Sequence, residues 1–157
     1  MLGVETIVST LKNGGVKCSL VGGYAVVLHG AVRGTVDIDI VIEHTLDQFE
    51  SCEKALRSLG LVPRLPVTAS EVFKFREEYI ERRNLIAWSF IDPKQAMTVI
   101  DIIITDDLRK MKSVTKKFGA YTLPVIALED LVAMKKKSGR PQDLEDIKML
   151  LRLKNGK

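Results

Sequence analysis

Apolar residues recur at helical spacing from the start of the chain. Leu2, Val4, Ile7, Val8 and Leu11 share one face, and Asn13-Gly14-Gly15 supplies a stop. Cys18–Val21 is a short apolar run before Gly22-Gly23, a strand that ends in a tight turn. Tyr24–His29 reads as one or two helical turns closed by Gly30, and VDIDIVIE from Val36 to Glu43 alternates as a half-buried strand. Thr45 is a suitable N-cap for a helix whose buried face carries Leu46, Phe49, Leu56 and Leu59 and which Gly60 ends. Pro63 and Pro66 bound a loop, and residues 67–84 are mixed and polar. Leu85–Ile91 and Thr98–Ile104 read as two strands of a hairpin around Asp92-Pro93. The pattern predicts a helix over 107–118, then a short edge strand, Tyr121–Leu123, stopped by Pro124. Leu128–Lys137 and Pro141–Leu153 are two helices separated by Ser138-Gly139. The expected fold class is α+β (α/β), a mixed central sheet flanked by helices. One domain spans residues 1–157, with 125–157 as a C-terminal helical motif.

Composition narrows the class without naming an activity. With 157 residues, 46% hydrophobic and 28% charged, the chain has the make-up of an ordinary globular protein and not of a disordered, collagenous or disulfide-built one. Its apolar runs fall far short of the ~20 residues of a membrane span, and the N-terminus lacks the pattern of a secretory signal. Cys18 and Cys52 have no metal-ligand spacing and fit a reducing compartment, so a cytoplasmic location is expected. Charge is uneven. Residues 108–157 hold 13 basic and 5 acidic side chains, a net of +8, against 11 and 15 in residues 1–107. Such a basic segment suits a polyanion, whether nucleotide, RNA or DNA, or is simply a set of solvated helix faces.

The chemistry centres on Asp37-Ile38-Asp39. Residues two apart on a strand share a face, so both carboxylates are presented together while Ile38, Ile40 and Ile42 enter the core. Carboxylates held in this way suit Mg²⁺. Asp101 interrupts the apolar run VIDIII, where an unpaired carboxylate is costly and calls for a metal, a cation or several donors. If its strand neighbours that of Asp39, three carboxylates converge, and Asp101 is placed to act as a general base. Gly22 and Gly23 precede a helix N-terminus, a backbone arrangement that suits an anion. Arg33 and Thr35 follow in the connection, and Arg33 is suited to clamp a phosphate.

The stretch VGGYAVVLHGAVRGTVDIDIVIE resembles the active-site signature of the DNA polymerase β-like nucleotidyltransferase superfamily: a glycine turn and helix, a strand bearing DxD, and a third carboxylate on a later strand. LEDLVAMKKKSGRPQDLEDI resembles the C-terminal motif of the AbiEii/MenT-type nucleotidyltransferases, toxins of bacterial toxin–antitoxin and abortive-infection systems. The resemblance implies metal ligands at Asp37, Asp39 and Asp101. It also implies a nucleotide-binding set of Gly22, Gly23, Arg33, Thr35, Lys135 and Arg140, with Lys135 and Asp143 joining the three carboxylates in catalysis. Spacing alone leaves open which of Lys135, Lys136 and Lys137 points inward. Gly23 stands where many superfamily members carry Ser, which leaves phosphate contacts there to backbone N–H groups.

The implied cofactors are Mg²⁺ (or Mn²⁺) with an NTP as co-substrate. The expected reaction moves an NMP from the NTP to an acceptor hydroxyl, with RNA (the tRNA 3′ end) as acceptor and an antitoxin protein as possible partner. A small-molecule acceptor such as an aminoglycoside or lincosamide is the alternative, with Glu77, Glu78 and Glu81 as an acidic lining for a cationic substrate. A non-catalytic nucleotide- or RNA-binding module is the third reading. His29 is expected to be structural or partly exposed, His44 a loop residue and Trp88 part of the core.

Overall fold

Alternating strands and amphipathic helices can bury both faces of a sheet only by placing helices on each side, and this architecture results. In the computed structural model, which describes residues 2–156, seven strands form one mixed sheet in the order β3-β4-β5-β2-β1-β7-β6. The strands are β1 (Cys18–Val21), β2 (Ile38–Ile42), β3 (Val62–Pro63), β4 (Ala87–Asp92), β5 (Gln95–Ile103), β6 (Ser113–Phe118) and β7 (Tyr121–Ile126). β2 is antiparallel to β1 and parallel to β5. The helices are α1 (Val4–Asn13), α2 (Gly22–Leu28), α3 (Leu46–Ser58), α4 (Ala69–Lys74), α5 (Arg76–Arg83), α6 (Leu128–Ser138) and α7 (Pro141–Asn155).

The alternation of β2 decides which face meets which helices. Ile38, Ile40 and Ile42 join Ile7, Leu11, Phe49 and Leu56 of α1 and α3 in one core. Val41 joins Val26 of α2, Leu131 and Val132 of α6, and Ile147 and Leu150 of α7 in the other. Asp39, between Ile38 and Ile40, is thereby turned to the α6–α7 side. Trp88 belongs to the first core: it is 2% exposed and packs on Phe49 and Phe90 at ring separations of 5.9 and 4.6 Å.

Two expected elements differ, and one stretch without an assignment is helical. The helix expected over 107–118 is a single 3₁₀ turn, Leu108–Lys110, followed by β6. The Asp107 side chain accepts from the Arg109 and His44 N–H groups, which caps one turn and no more. Residues 113–118 then alternate between exposed and half-buried, the pattern of an edge strand. It is β6 that forms the edge. β7 lies inside it and continues past Pro124 to Ile126, with Pro124 opposite Thr115 and the ladder to β1 confined to Leu20–Val125. A proline is tolerated in a strand where little hydrogen bonding is asked of its nitrogen. Residues 67–84, mixed and polar in sequence and assigned no element, hold two helices. Thr68 and Glu71 close a capping box on α4, but only Ala69 and Val72 are buried there and none of α5 is, too few to show a period.

Candidate active site

Register brings the carboxylates together. Asp39 of β2 lies directly opposite Asp101 of β5 in a parallel pair, so both side chains leave the same face of the sheet. On β4 the residue opposite Asp101 is Ser89, whose hydroxyl donates a short hydrogen bond to the Asp101 carboxylate. Asp37 stands just before β2, exposed, at the rim of the same cleft. The cleft has a volume of about 570 Å³. Asp39 and Asp101 form its floor, Lys135, Arg140 and Asp143 one wall, and Arg64, Asn84 and Ile86 border the opposite side.

The floor is electrostatically crowded. Burial, then the charges of Asp101 and Asp37 and a hydrogen bond with Asp101, push Asp39 up to about 7. Among the described residues no three His, Cys, Asp or Glu side chains are close enough to cage an ion by themselves. The expected convergence of three carboxylates is therefore a close pair, Asp39 and Asp101, with Asp37 set apart at the rim. That donor set fits Mg²⁺, which binds through one or two carboxylates and takes its other ligands from water and substrate phosphates. Two facing carboxylates that repel each other gain most from a divalent cation. Since a carboxylate must lose its proton to bind metal, Mg²⁺ or Mn²⁺ affinity is expected to rise between pH 6 and 8 as Asp39 ionises. Titration calorimetry at the two pH values checks this. Thermal stability is a poorer readout, because buried His44, lowered by burial and then by Arg76, changes it in the opposite sense over that range.

Gly22 gives the floor its close approach to β1. Its φ is +66°, and a Cβ there would run into the Asp39 carboxylate. Gly22→Ala is expected to cost about 1–3 kcal/mol of stability through backbone strain. It also displaces Asp39 and lowers turnover about a hundredfold; thermal unfolding and initial rates measure the two effects.

Of the three lysines only Lys135 is buried: four residues after Leu131 on the inward face of α6, it is 6% exposed, whereas Lys136 and Lys137 are exposed and Lys137 also borders the cleft. The Lys135 Nζ lies 3.4 Å from Asp143 and 2.8 Å from Asp146. Asp143, 2% exposed, accepts from both the side chain and the backbone N–H of Arg140, at 2.9 and 3.1 Å. Burial pushes its carboxyl up, but the Arg140 and Ser138 hydrogen bonds outweigh it and hold it at about 2.

Sequence reasoning passed over Asp146. It is fully buried and accepts from Arg33 at 2.7 Å, Lys135 at 2.8 Å and Gln142 at 2.9 Å. The signal was present: an acidic residue beside Ile147 and four before Leu150, on the apolar face of a helix, demands a cation. Arg33 answers that demand. It does not border the cleft and its guanidinium is committed to Asp146, where a phosphate contact had been expected. Gly23 and Thr35 also lie outside the cleft lining; the Thr35 side chain packs against Gly23, in the space a larger residue at 23 would need. Glu77, Glu78 and Glu81 are exposed on α5 and none borders the cleft, so they supply no acidic lining; Glu78 is 3.7 Å from Arg82. The ring Nε2 atoms of His29 and His44 contact the Ile126 and Ile103 carbonyls at 2.8 and 3.3 Å. Cys18 and Cys52 are buried, and burial raises both thiols, Cys18 to about 11.

A mixed sheet with a carboxylate pair on adjacent parallel strands, facing a basic wall from a C-terminal helix pair, is the architecture of a nucleotidyltransferase. The chain belongs to the nucleotidyl transferase AbiEii toxin family of type IV toxin–antitoxin systems, whose family model matches residues 10–157. It is accordingly an enzyme of the nucleotidyltransferase class. No curated protein sequence matches it significantly.

Similar solved structures include the antibiotic-resistance factor ANT(2″)-Ia, with a TM-score of 0.65 at 9% identity over 94% of this chain and 80% of that one. The lincosamide antibiotic adenylyltransferase LnuA, lincomycin-bound, has a TM-score of 0.62 at 16% identity over 97% and 98%. An antigenic nucleotidyltransferase-like protein from Paracoccidioides brasiliensis has a TM-score of 0.57 at 16% identity over 96% and 74%. These likenesses establish the fold. No helix among the described residues is long and apolar enough to cross a membrane.

Proposed function

We propose that this enzyme transfers an NMP from an NTP to a hydroxyl of an RNA acceptor, the tRNA 3′ end, and acts in the cytoplasm alongside an antitoxin protein. The observation that carries the reaction is the Asp39–Asp101 pair on the floor of a cleft whose wall presents Lys135 and Arg140. Bound Mg²⁺ or Mn²⁺ supplies charge neutralisation at the reacting phosphate and at the attacking and leaving oxygens. Asp39 and Asp101 would hold it, with Asp37 reaching in from the rim. Lys135 and Arg140 hold the triphosphate. The acceptor oxygen bonds to the α-phosphorus as the bond to the β-phosphate oxygen breaks, and pyrophosphate leaves. Asp101, positioned by Ser89, takes the proton from the acceptor hydroxyl.

The net charge of +8 over residues 108–157 supports a polyanionic acceptor. The second reading, a small-molecule acceptor, draws on the likeness over 98% of LnuA, a protein named for lincosamide adenylylation. One assay tests both: each α-labelled NTP with Mg²⁺ or Mn²⁺, total tRNA, and a panel of aminoglycosides and lincosamides. Label in tRNA is the expected result. Label in an antibiotic alone would replace the RNA reading, and NTP binding without transfer to any acceptor would favour a binding module.

A further inference from the structure

We infer that Asp146 is a positioning residue for nucleotide binding, acting through Lys135, and that Arg33 serves the nucleotide through Asp146 and not by touching it. The inference deepens the proposed reaction and rests on its placing of the triphosphate at Lys135. One buried carboxylate oxygen, Oδ2 of Asp146, receives both the Arg33 guanidinium at 2.7 Å and the Lys135 ammonium at 2.8 Å. Its other oxygen accepts from the Gln142 side chain at 2.9 Å. Asp146 has no exposed surface and does not border the cleft, whereas Lys135 does. The carboxylate therefore stands behind the lysine and cannot reach a nucleotide itself.

Two physical consequences follow from this arrangement. A lysine only 6% exposed holds a single direction when a buried anion bonds its ammonium and compensates its desolvation. Its flexible four-carbon stem gives no such definition alone. Asp143, at 3.4 Å, is the weaker partner and is already occupied by two donors from Arg140. Second, Arg33 lies in the connection between α2 and β2, four residues before Asp37. Its bond to Asp146 ties that connection to α7, so one carboxylate links the segment bearing the rim carboxylate to the lysine on the opposite wall.

The test uses Asp146→Asn, which keeps the shape and removes the charge, Arg33→Gln, and the double variant. Equilibrium binding of a non-hydrolysable Mg²⁺–NTP analogue and of the corresponding NMP is measured, with thermal unfolding to confirm that each protein is folded at the assay temperature. Asp146→Asn is expected to weaken the triphosphate about tenfold or more while leaving the monophosphate within about threefold, because the displaced charge serves the outer phosphates. Arg33→Gln is expected to produce a smaller loss of the same selectivity. Added to Asp146→Asn it should change nothing further, since residues acting through one shared group are non-additive.

Equal weakening of NMP and NTP, or unchanged affinity in a folded Asp146→Asn protein, would overturn the assignment. Multiplying losses in the double variant would mean that Arg33 contacts phosphate directly. If Asp146→Asn does not fold, Arg33→Gln decides: a triphosphate-selective loss supports the positioning role, and unaltered selectivity rejects it. Absence of NTP binding by the unaltered protein would instead remove the reaction on which the inference rests.

Discussion

Asp39→Asn is expected to lower nucleotidyl transfer by about a thousandfold or more while leaving the protein as stable as before, or slightly more so. The two halves of this expectation have one cause. Asp39 is pushed up to about 7 because it is buried and faces Asp101, with Asp37 adding to the repulsion. In the metal-free protein the two facing carboxylates destabilise one another, and an amide in place of one relieves that repulsion. Its NH₂ can also donate to Asp101 across the β2–β5 pair. The same change removes half of the anionic charge that a divalent cation would compensate, so metal affinity falls along with turnover. Initial rates, metal titration and a thermal melt on one preparation measure all three. A variant that loses activity together with several degrees of melting temperature would show that Asp39 is a structural residue and not a metal ligand.

The second large effect belongs to Lys135. Lys135→Met is expected to abolish measurable NTP binding and to destabilise the fold by about 3–5 kcal/mol, the usual result of removing one member of a buried ion cluster. At about 2–4 °C per kcal/mol for a domain of this size, the melting temperature falls by roughly 10 °C. The reason is a count of charges. Asp143 and Asp146 are 2% and 0% exposed and are balanced by Arg33, Lys135 and Arg140. Without Lys135, Asp146 keeps Arg33 as its cation and the neutral Gln142 amide as its other donor. Neutralising that carboxylate should recover part of the loss, so Lys135→Met with Asp146→Asn is expected to melt above Lys135→Met. Lys136→Met and Lys137→Met, on the exposed face of the same helix, are expected to melt within about 1 °C of the unaltered protein.

Legibility in the sequence followed burial. The alternation of VDIDIVIE and the helical spacing of Leu128, Leu131 and Val132 mark elements with one wholly apolar face; the helix forms as read, and the strand forms over Ile38–Ile42, leaving Val36 and Asp37 outside it. Residues 67–84 gave no element and 107–118 a wrong one for a common reason. α5 has no buried residue, and β6 presents only exposed and half-buried positions, so neither carries the apolar period from which secondary structure is recognised. β6 forms because β7, which follows it across the two-residue turn Gly119-Ala120, is itself held against the distant β1. That anchoring is a tertiary fact.

Local pattern by itself determined which residues could be chemical. The alternation marks Asp37 and Asp39 as a carboxylate pair, of which only Asp39 lies within β2, Asp101 interrupts a core run, and a Lys, an Arg and an Asp flank Gly139 between two helices. These follow from strand and helix periods, which are properties of the chain over a few residues. Only the tertiary structure decided how these residues meet. β2 pairs with β5 in the register that sets Asp39 against Asp101, Ser89 reaches the latter from β4, and Arg33 spends its charge on Asp146 instead of the cleft. Asp39 and Asp101 are 62 residues apart in sequence and Arg33 and Asp146 are 113 apart, whereas Ser89 is only 12 from Asp101, across the β4–β5 hairpin. Neither which strands pair nor which charge neutralises which is written in a local period; both are set by the requirement that every buried charge and every buried backbone group find a partner somewhere in the folded chain.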